Sequence, residues 1–600
     1  MLFDYYNPVA IIEQNEHNKE IKTIAANIRG DYSLTDNLTF GLFYSQQRSN
    51  EVEQFYYDKN SFWVGENRNG LASQTDEEKR DQLFRSELRY ENVFGRSTEF
   101  NALVGYEYQD FENAGFGLQG GDFLTDAFSF DNLGAANDFA NGLGSIGSYR
   151  NTNKLISFFG RVNFNFGDKF FATASVRRDG SSRFGADNKW GVFPAISAGV
   201  DLVRAAGISG FNQLKLRAGF GVTGNNVGES YLSLQRFGPR GNFFYNGAFV
   251  PSYGPVSNPN PDLKWETKSD FNIGVDFALL DYKLTGSLEY YNATTDGGIF
   301  LFNVPVPPNL FPETFFNVGK VSNSGIELAL GYNINLGGDA NWKLDFTGSR
   351  WFEPTLESLT DESRGVSLGG SRTGANLGSP GQNNTPLIIL EEGAPIGQIW
   401  GLVLDESNPV TEDGSWNFVD VDGDGTQDDI ADRAVIGNGF PKYNLGLNNN
   451  LTFGNFDVNV FFRAVLGHDL VNTFRAFYEA PGQISAYNIL KTSGEGDLKN
   501  LTDQPQFSSF HVEDASFVKL DNLTIGYSLP SEGLPNGFSK IRFFVTGQNL
   551  LTITGYKGVS PEPRLTDEDF SNFGSLAPGI DRRNTYFSAR GFTFGINLGF

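Results

Sequence analysis

Apolar and small polar side chains alternate with a period of two along most of this chain. At the C-terminus Phe592, Phe594, Ile596, Leu598 and Phe600 fall on one face of an extended segment. Gly591, Thr593, Gly595, Asn597 and Gly599 fall on the other. Leu214, Leu216, Ala218, Phe220 and Val222 alternate with Lys215, Arg217, Gly219, Gly221 and Thr223. Phe271, Ile273, Val275, Phe277 and Leu279 alternate with Asp270, Asn272, Gly274, Asp276 and Ala278. Similar stripes run from Ile24 to Leu34, Leu38 to Tyr44, Phe100 to Tyr108 and Ile156 to Phe166. A strand with lipid on one side and a wet lumen on the other needs this pattern. A soluble chain seldom ends on an edge strand this apolar.

Short and long connections alternate between the stripes. Short ones lie near 35–37, 94–98, 167–169, 280–282, 336–341, 453–456 and 530–540. Long ones span roughly 46–82, 110–153, 224–266, 352–442, 467–516 and 552–589. Bacterial barrels have short periplasmic turns and long extracellular loops. The pattern therefore predicts an all-β fold, a transmembrane antiparallel β-barrel of about seventeen strands. The first strand, near 23–34, precedes a short turn, and the last follows a long loop, so both run from outside to periplasm. The count is odd, whereas bacterial single-chain barrels have even counts. The expectation is an incomplete barrel: a chain that begins in an extracellular loop and lacks an odd number of N-terminal strands. Met1–Pro8 has no basic start and no apolar core, so no secretory signal opens it either.

Composition sharpens this reading. Phe occurs 57 times, Tyr 23 and Gly 71, which suits strands, interfacial aromatic girdles and many turns. No apolar run is long enough for a membrane-spanning helix. The net charge of −25 argues against nucleic acid as a partner. With 0 Cys, disulfides and thiolate metal sites are excluded.

Several segments resemble one family, the SusC/RagA-type TonB-dependent outer-membrane transporters of Bacteroidota. Arg178–Gly185 (RDGSSRFG) with Trp190–Ala195 looks like that family's hairpin signature, and Leu214–Asn225 is similar to its next strand. Asn260–Glu266 (NPDLKWE), Asn317–Glu327 (NVGKVSNSGIE), Pro395–Gly397 with Trp400-Gly401, and Asp514–Leu520 also fit. The resemblance covers nearly the whole chain. It implies a plugged barrel of about 22 strands, of which residues 1–600 would be the C-terminal part, with about seventeen strands and without the plug and TonB box. It implies import of oligosaccharides or peptides together with a SusD-like surface lipoprotein and a TonB complex acting through the missing N-terminal region. The terminal stripe Phe592, Phe594, Ile596, Leu598 and Phe600 resembles the C-terminal insertion signal of outer-membrane barrels. The rival readings are a passive outer-membrane barrel or surface adhesin, a barrel enzyme, and a soluble β-sandwich or solenoid.

The sharpest local motif is Asp420-Val421-Asp422-Gly423-Asp424-Gly425, followed by Asp428 and Asp432. Carboxylates at alternate positions and a Gly for a sharp turn match the first half of a calcium loop. Ala431 stands where the second half would place its bidentate Glu, so Asp428 or Asp432 would substitute. The alternative is a solvated acidic turn. Phe243–Phe249 and Trp416–Phe418 are aromatic, amide-rich loop segments that suit sugar rings, peptides, or packing of loop on loop. Catalysis has little support: His17, His468 and His511 lie far apart in expected loops, with no nucleophile at a recognisable spacing. His468-Asp469 could pair at a strand end.

Overall fold

The computed structural model describes residues 8–61, 65–226, 228–361, 366–367, 371–379, 382–427, 430–485, 487–567 and 573–600. Its main feature is one 17-stranded sheet. The strands are β1 Asn15–Thr35, β2 Leu38–Tyr57, β3 Leu71–Phe94, β4 Thr98–Gly121, β5 Ser145–Phe166 and β6 Phe170–Ser181. They continue as β7 Trp190–Asp201, β8 Gln213–Asn225, β9 Glu266–Leu279, β10 Leu284–Asn303, β11 Glu313–Gly337 and β12 Ala340–Ser358. The last are β13 Tyr443–Phe453, β14 Phe456–Leu466, β15 Phe517–Ser528, β16 Lys540–Thr554 and β17 Gly591–Gly599. Each strand pairs antiparallel with the next, from β1–β2 through β8–β9 to β16–β17. This is an up-and-down meander, the topology of outer-membrane barrels. No helix among the described residues is long and apolar enough to cross a membrane.

The register carries the apolar stripes into a continuous band. Ile196, Phe220 and Phe271 stand opposite one another across β7, β8 and β9. Ala218, Ile273, Tyr290 and Ile326 do so across β8 to β11. Tyr527, Phe543 and Ile596 close the series across β15 to β17. These outward side chains are exposed to a degree no soluble surface would maintain; Phe594, for example, is 80 % exposed.

Several strands run well past the segments that alternation marks. β1 begins at Asn15, and the expected long loop 46–82 is strand except between Tyr57 and Leu71. The expected loop 110–153 likewise contains the end of β4 and the start of β5. Beyond the bilayer both faces of a sheet are wet, so the ladder continues without an apolar stripe to announce it. The extensions carry cross-strand ion pairs instead, such as Lys19–Glu51 at 2.5 Å and Arg48–Glu78 at 2.8 Å.

The packed core lies in the outer loops. The segment between β12 and β13 folds into a four-stranded sheet of Ser371–Asn376, Pro386–Glu391, Gln398–Leu402 and Arg433–Asn438. Leu387, Ile388, Ile399, Phe507 and Ala577 form its fully buried centre, so three separate loops share one core. Leu404, Trp416 and Phe418 pack with Leu498 and Leu501 in a second cluster.

Candidate functional site

The inner face of the wall is built from rows of charge. Phe43, Arg85, Glu107, Ser157 and Asp179 stand opposite one another across β2 to β6. Glu107, only 2 % exposed, receives Arg85 at 2.5 Å and Arg177 at 2.9 Å. Arg177 also donates to Asp179 at 2.7 Å and to the Ser157 hydroxyl at 2.7 Å. Arg217 on β8 bridges Asp276 at 3.2 Å and Glu289 at 2.6 Å, across two strand junctions. Arg463 repeats the device with Asp521 and Glu562, and Arg542 grips the single carboxylate of Asp457 through two of its donors. A guanidinium can serve two carboxylates at once through its forked donors.

Inward glycines make room for these side chains to lie along the wall. A Cβ on Gly274 would sit 2.9 Å from the Arg217 guanidinium carbon, and one on Gly105 would sit 2.3 Å from the Phe159 ring. Between the charged rows run neutral ones. Asn101, Asn163, Thr173, Ser197 and Asn272 share one line from β4 to β9, interrupted at β8 by Gly219. Asn450, Asn459, Thr524, Thr546 and Thr593 share another from β13 to β17. The first line borders a concavity of about 1160 Å³ that also includes Lys215 and Asp270. The wall is therefore wet, rich in hydrogen-bonding groups and locally balanced in charge.

The segments singled out in the sequence interlock on the outer side. The Asn317 side chain donates to the Lys264 carbonyl at 2.8 Å and the Gly297 carbonyl at 2.9 Å, and accepts from the Lys264 N–H at 3.0 Å. Asn260 donates to the Phe315 carbonyl at 2.6 Å. The Trp265 indole donates to the Lys189 carbonyl at 2.9 Å and packs with Phe184, Phe193 and Leu263. A Cβ on Gly185 would stand 1.6 Å from the Pro261 carbonyl oxygen, so only glycine permits this approach. Asn258 holds the neighbouring loop in the same manner, accepting from Leu310 and Phe311 N–H and donating to the carbonyls of Phe311 and Glu313. Its role has no sequence signal beyond the NPN context.

One carboxylate oxygen from each of Asp420, Asp422 and Asp432 lies within 4.8 Å of the others. Asp432 is buried and accepts the Val421 N–H at 2.6 Å. Asp420 accepts the N–H groups of Gly423 and Gly425 at 2.7 and 2.9 Å. The Asp424 N–H bonds to Asp422, and despite that bond desolvation, with the crowding of Asp424, Asp432 and Asp420, raises the Asp422 carboxyl above the usual carboxylate range. Asp424 is instead turned onto Thr426, whose hydroxyl and N–H hold its carboxyl low. Asp428 lies outside the described residues. Three oxygens are thus gathered where hard-cation ligands are expected.

The histidines stay apart. His17 is within β1 rather than a loop and meets Glu53 at 3.0 Å. His468 bonds the Pro561 carbonyl at 2.9 Å, while its neighbour Asp469 accepts from the Asn438 N–H at 2.9 Å, so the two are held by different partners. His511 is buried beside Arg475, and burial pushes its imidazole down to about 3. The terminal stripe Phe592, Phe594, Ile596, Leu598 and Phe600 lies on the outer face and is exposed throughout. The aromatic segment Phe243–Phe249 forms a projecting hairpin of Phe237–Tyr245 and Ala248–Pro255, whereas Trp416 and Phe418 are buried in the loop core.

Comparison with known proteins adds identity to this geometry. Residues 3–550 match the family model described as TonB dependent receptor-like, beta-barrel. TonB-dependent receptor P3 of Formosa agariphila is 29% identical over 634 aligned residues, covering 100% of this chain and 60% of that protein. TonB-dependent receptor SusC of Bacteroides thetaiotaomicron is 27% identical over 618, covering 99% and 57%. The solved RagAB peptide transporter superposes with a TM-score of 0.81 at 22% identity, covering 98% of this chain and 63% of that one. The chain spans about 60% of the length of the curated relatives it matches.

Proposed function

Because this chain belongs to the TonB-dependent receptor-like β-barrel family and is an outer-membrane protein, we propose that it supplies the wall and outer vestibule of an energised importer for oligosaccharides or peptides. On this reading a SusD-like surface lipoprotein works with the outer loops, and a TonB complex acts through a segment outside these residues. The observation that carries the reading is the two-sided wall. An apolar band faces lipid while arginine–carboxylate rows and neutral amide rows line a water-filled interior. A lumen so furnished offers hydrogen bonds without a net attractive charge, which suits bulky polar cargo. The folded loop core suits a vestibule with a fixed shape rather than a bare pore. The relatives are receptors and a transporter rather than enzymes, in keeping with the scattered histidines.

We further propose that Asp420, Asp422 and Asp432 hold a calcium ion that staples the outer loop. The ion would fix the turn of residues 420–425 and take no part in cargo chemistry.

The test of import is uptake of labelled oligosaccharide and peptide pools by cells carrying or lacking the gene, with and without the proton gradient. Uptake that needs both supports the proposal. Gene-dependent uptake that survives collapse of the gradient would identify a passive barrel, and uptake that ignores the gene would leave the adhesin reading.

A further inference from the structure

The Trp400-Gly401 segment is one of the sequence motifs that the lumenal wall does not explain. It borders a recess of about 660 Å³ on the outer loop sheet, within the size range of small-ligand pockets. Thr373, Asn383, Asn384, Thr385 and Arg433 line it with Trp400. Among the described residues, the Trp400 indole N–H and the side chains of Asn383, Asn384, Thr373 and Thr385 meet no hydrogen-bonding partner. Trp265 and Trp416, by contrast, both donate to carbonyls, at 2.9 and 3.0 Å.

The frame around these groups is tied to the buried core. The Gln382 side chain accepts the Phe507 N–H at 2.7 Å and donates to the Pro505 carbonyl, so the turn bearing Asn383 and Asn384 is fastened to the buried core. Arg433 is almost fully buried; it lies 5.0 Å from the Trp400 ring centroid and donates to the Pro386 carbonyl at 3.3 Å. It holds the indole in place. The groups left for a ligand are an indole N–H, two amides and two hydroxyls.

We infer that this recess is a binding subsite for a neutral, hydroxyl-rich sugar unit. Paired amides and hydroxyls both donate and accept, as sugar hydroxyls do, and the indole adds a flat apolar edge with a donor. Among the described residues, no carboxylate lines the recess to receive an ammonium group, so an amino terminus or a lysine gains nothing from them. The inference rests on the import reading and narrows its cargo from oligosaccharide or peptide to oligosaccharide.

Calorimetry on the detergent-solubilised chain decides it, using neutral oligosaccharides of glucose, xylose, mannose and galactose beside an uncharged octapeptide. Asn383→Ala with Asn384→Ala removes the exposed amides, and Trp400→Phe keeps the ring but removes the N–H. At least one saccharide series binds, and each variant weakens it by roughly tenfold, the size of a lost hydrogen bond or two. An unchanged protease-digestion pattern shows that the loop sheet survives in both variants. The idea is overturned if no saccharide binds, if binding is unchanged in both variants, or if the octapeptide is the ligand they lose. Uptake is read separately by the gene-deletion assay, so import can stand while the sugar site falls, or the reverse.

Discussion

Ile273 and Asn272 are neighbours on β9 that face different media, and a charge placed on each tests the membrane reading within one strand. The apolar run Phe271, Ile273, Val275, Phe277 and Leu279 covers about the nine residues that a tilted strand needs to span the hydrocarbon. Ile273 lies two residues from its centre at Val275, flanked on the outer face by Ala218 and Tyr290. Ile273→Arg therefore places a guanidinium within the hydrocarbon, at a cost of up to roughly 2–4 kcal/mol, the midplane value. That is about thirty- to nearly a thousandfold in the folding equilibrium. Asn272→Arg points inward, beside Gly219 and on the same face as Asp270 and Asp276, where acids and water receive the charge. Its cost should stay below about 1 kcal/mol, as for a surface change. The assay is urea unfolding in lipid vesicles followed by heat-modifiable electrophoretic mobility. Equal penalties at the two positions, or a larger one at Asn272, would refute the lipid-facing assignment. A soluble sheet has no reason to rank these neighbours by side in this way.

The remaining predictions address the ends and the outer loops. Deleting Phe600, which is 85 % exposed, should lower the amount assembled in the outer membrane while leaving synthesis unchanged; normal surface levels would remove its role as an insertion signal. Gly185→Ala should push the RDGSSRFG turn off the Pro261 carbonyl, and limited proteolysis within 256–266 should rise, whereas Gly555→Ala, where an added side chain meets open space, should leave that pattern unchanged. Calcium should protect residues 405–435 from protease in the native chain and fail to do so in Asp420→Asn with Asp422→Asn; cleavage indifferent to calcium in the native chain would end the metal proposal. For His511 the folded pKa of about 3 lies below the ordinary 6.5, so between these values the unfolded loop binds a proton that the folded one does not. Stability is fully present above pH 6.5 and falls as pH falls, by about 2 kcal/mol between pH 7 and 5. Melting of the loop core at the two pH values should reveal this, and His511→Phe should flatten it.

The wall was legible because lipid enforces a period of two. Phe592 to Phe600 and Phe271 to Leu279 can adopt only one face toward the bilayer, and one slip in register would invert them. The outer strand extensions were not legible. Residues 46–57 and 71–82 are wet on both faces, so nothing in their polarity separates strand from loop. The loop core was hidden for a different reason. Leu387, Phe507 and Ala577 meet from three loops separated by strands of the wall, and their pairing follows from the wall that brings those loops together. The histidine readings failed at His17 because a polar strand extension looks like a loop. The carboxylates of the acidic motif were found individually, but which of them converge was not. Thr426 diverts Asp424, while Asp432 enters through burial at the far end of the turn.

Charge placement links these parts. Within the wall each arginine described above is matched by carboxylates on neighbouring strands, so those rows contribute little net field. The surplus acid is concentrated elsewhere: residues 405–432 contain ten Asp or Glu and no Lys or Arg, out of a chain total of −25. Exposed charges act over about a Debye length, near 8 Å in physiological salt, so this loop repels anionic solutes locally without charging the lumen. An anionic cargo is disfavoured at the loop, and a cationic one is drawn to the acidic turn rather than to the balanced wall. A neutral polar chain meets neither penalty, and it can exchange hydrogen bonds with the asparagine and threonine rows along the sheet. On the sugar-site proposal the same selection extends to the Trp400 recess, where, among the described residues, the groups without partners are uncharged.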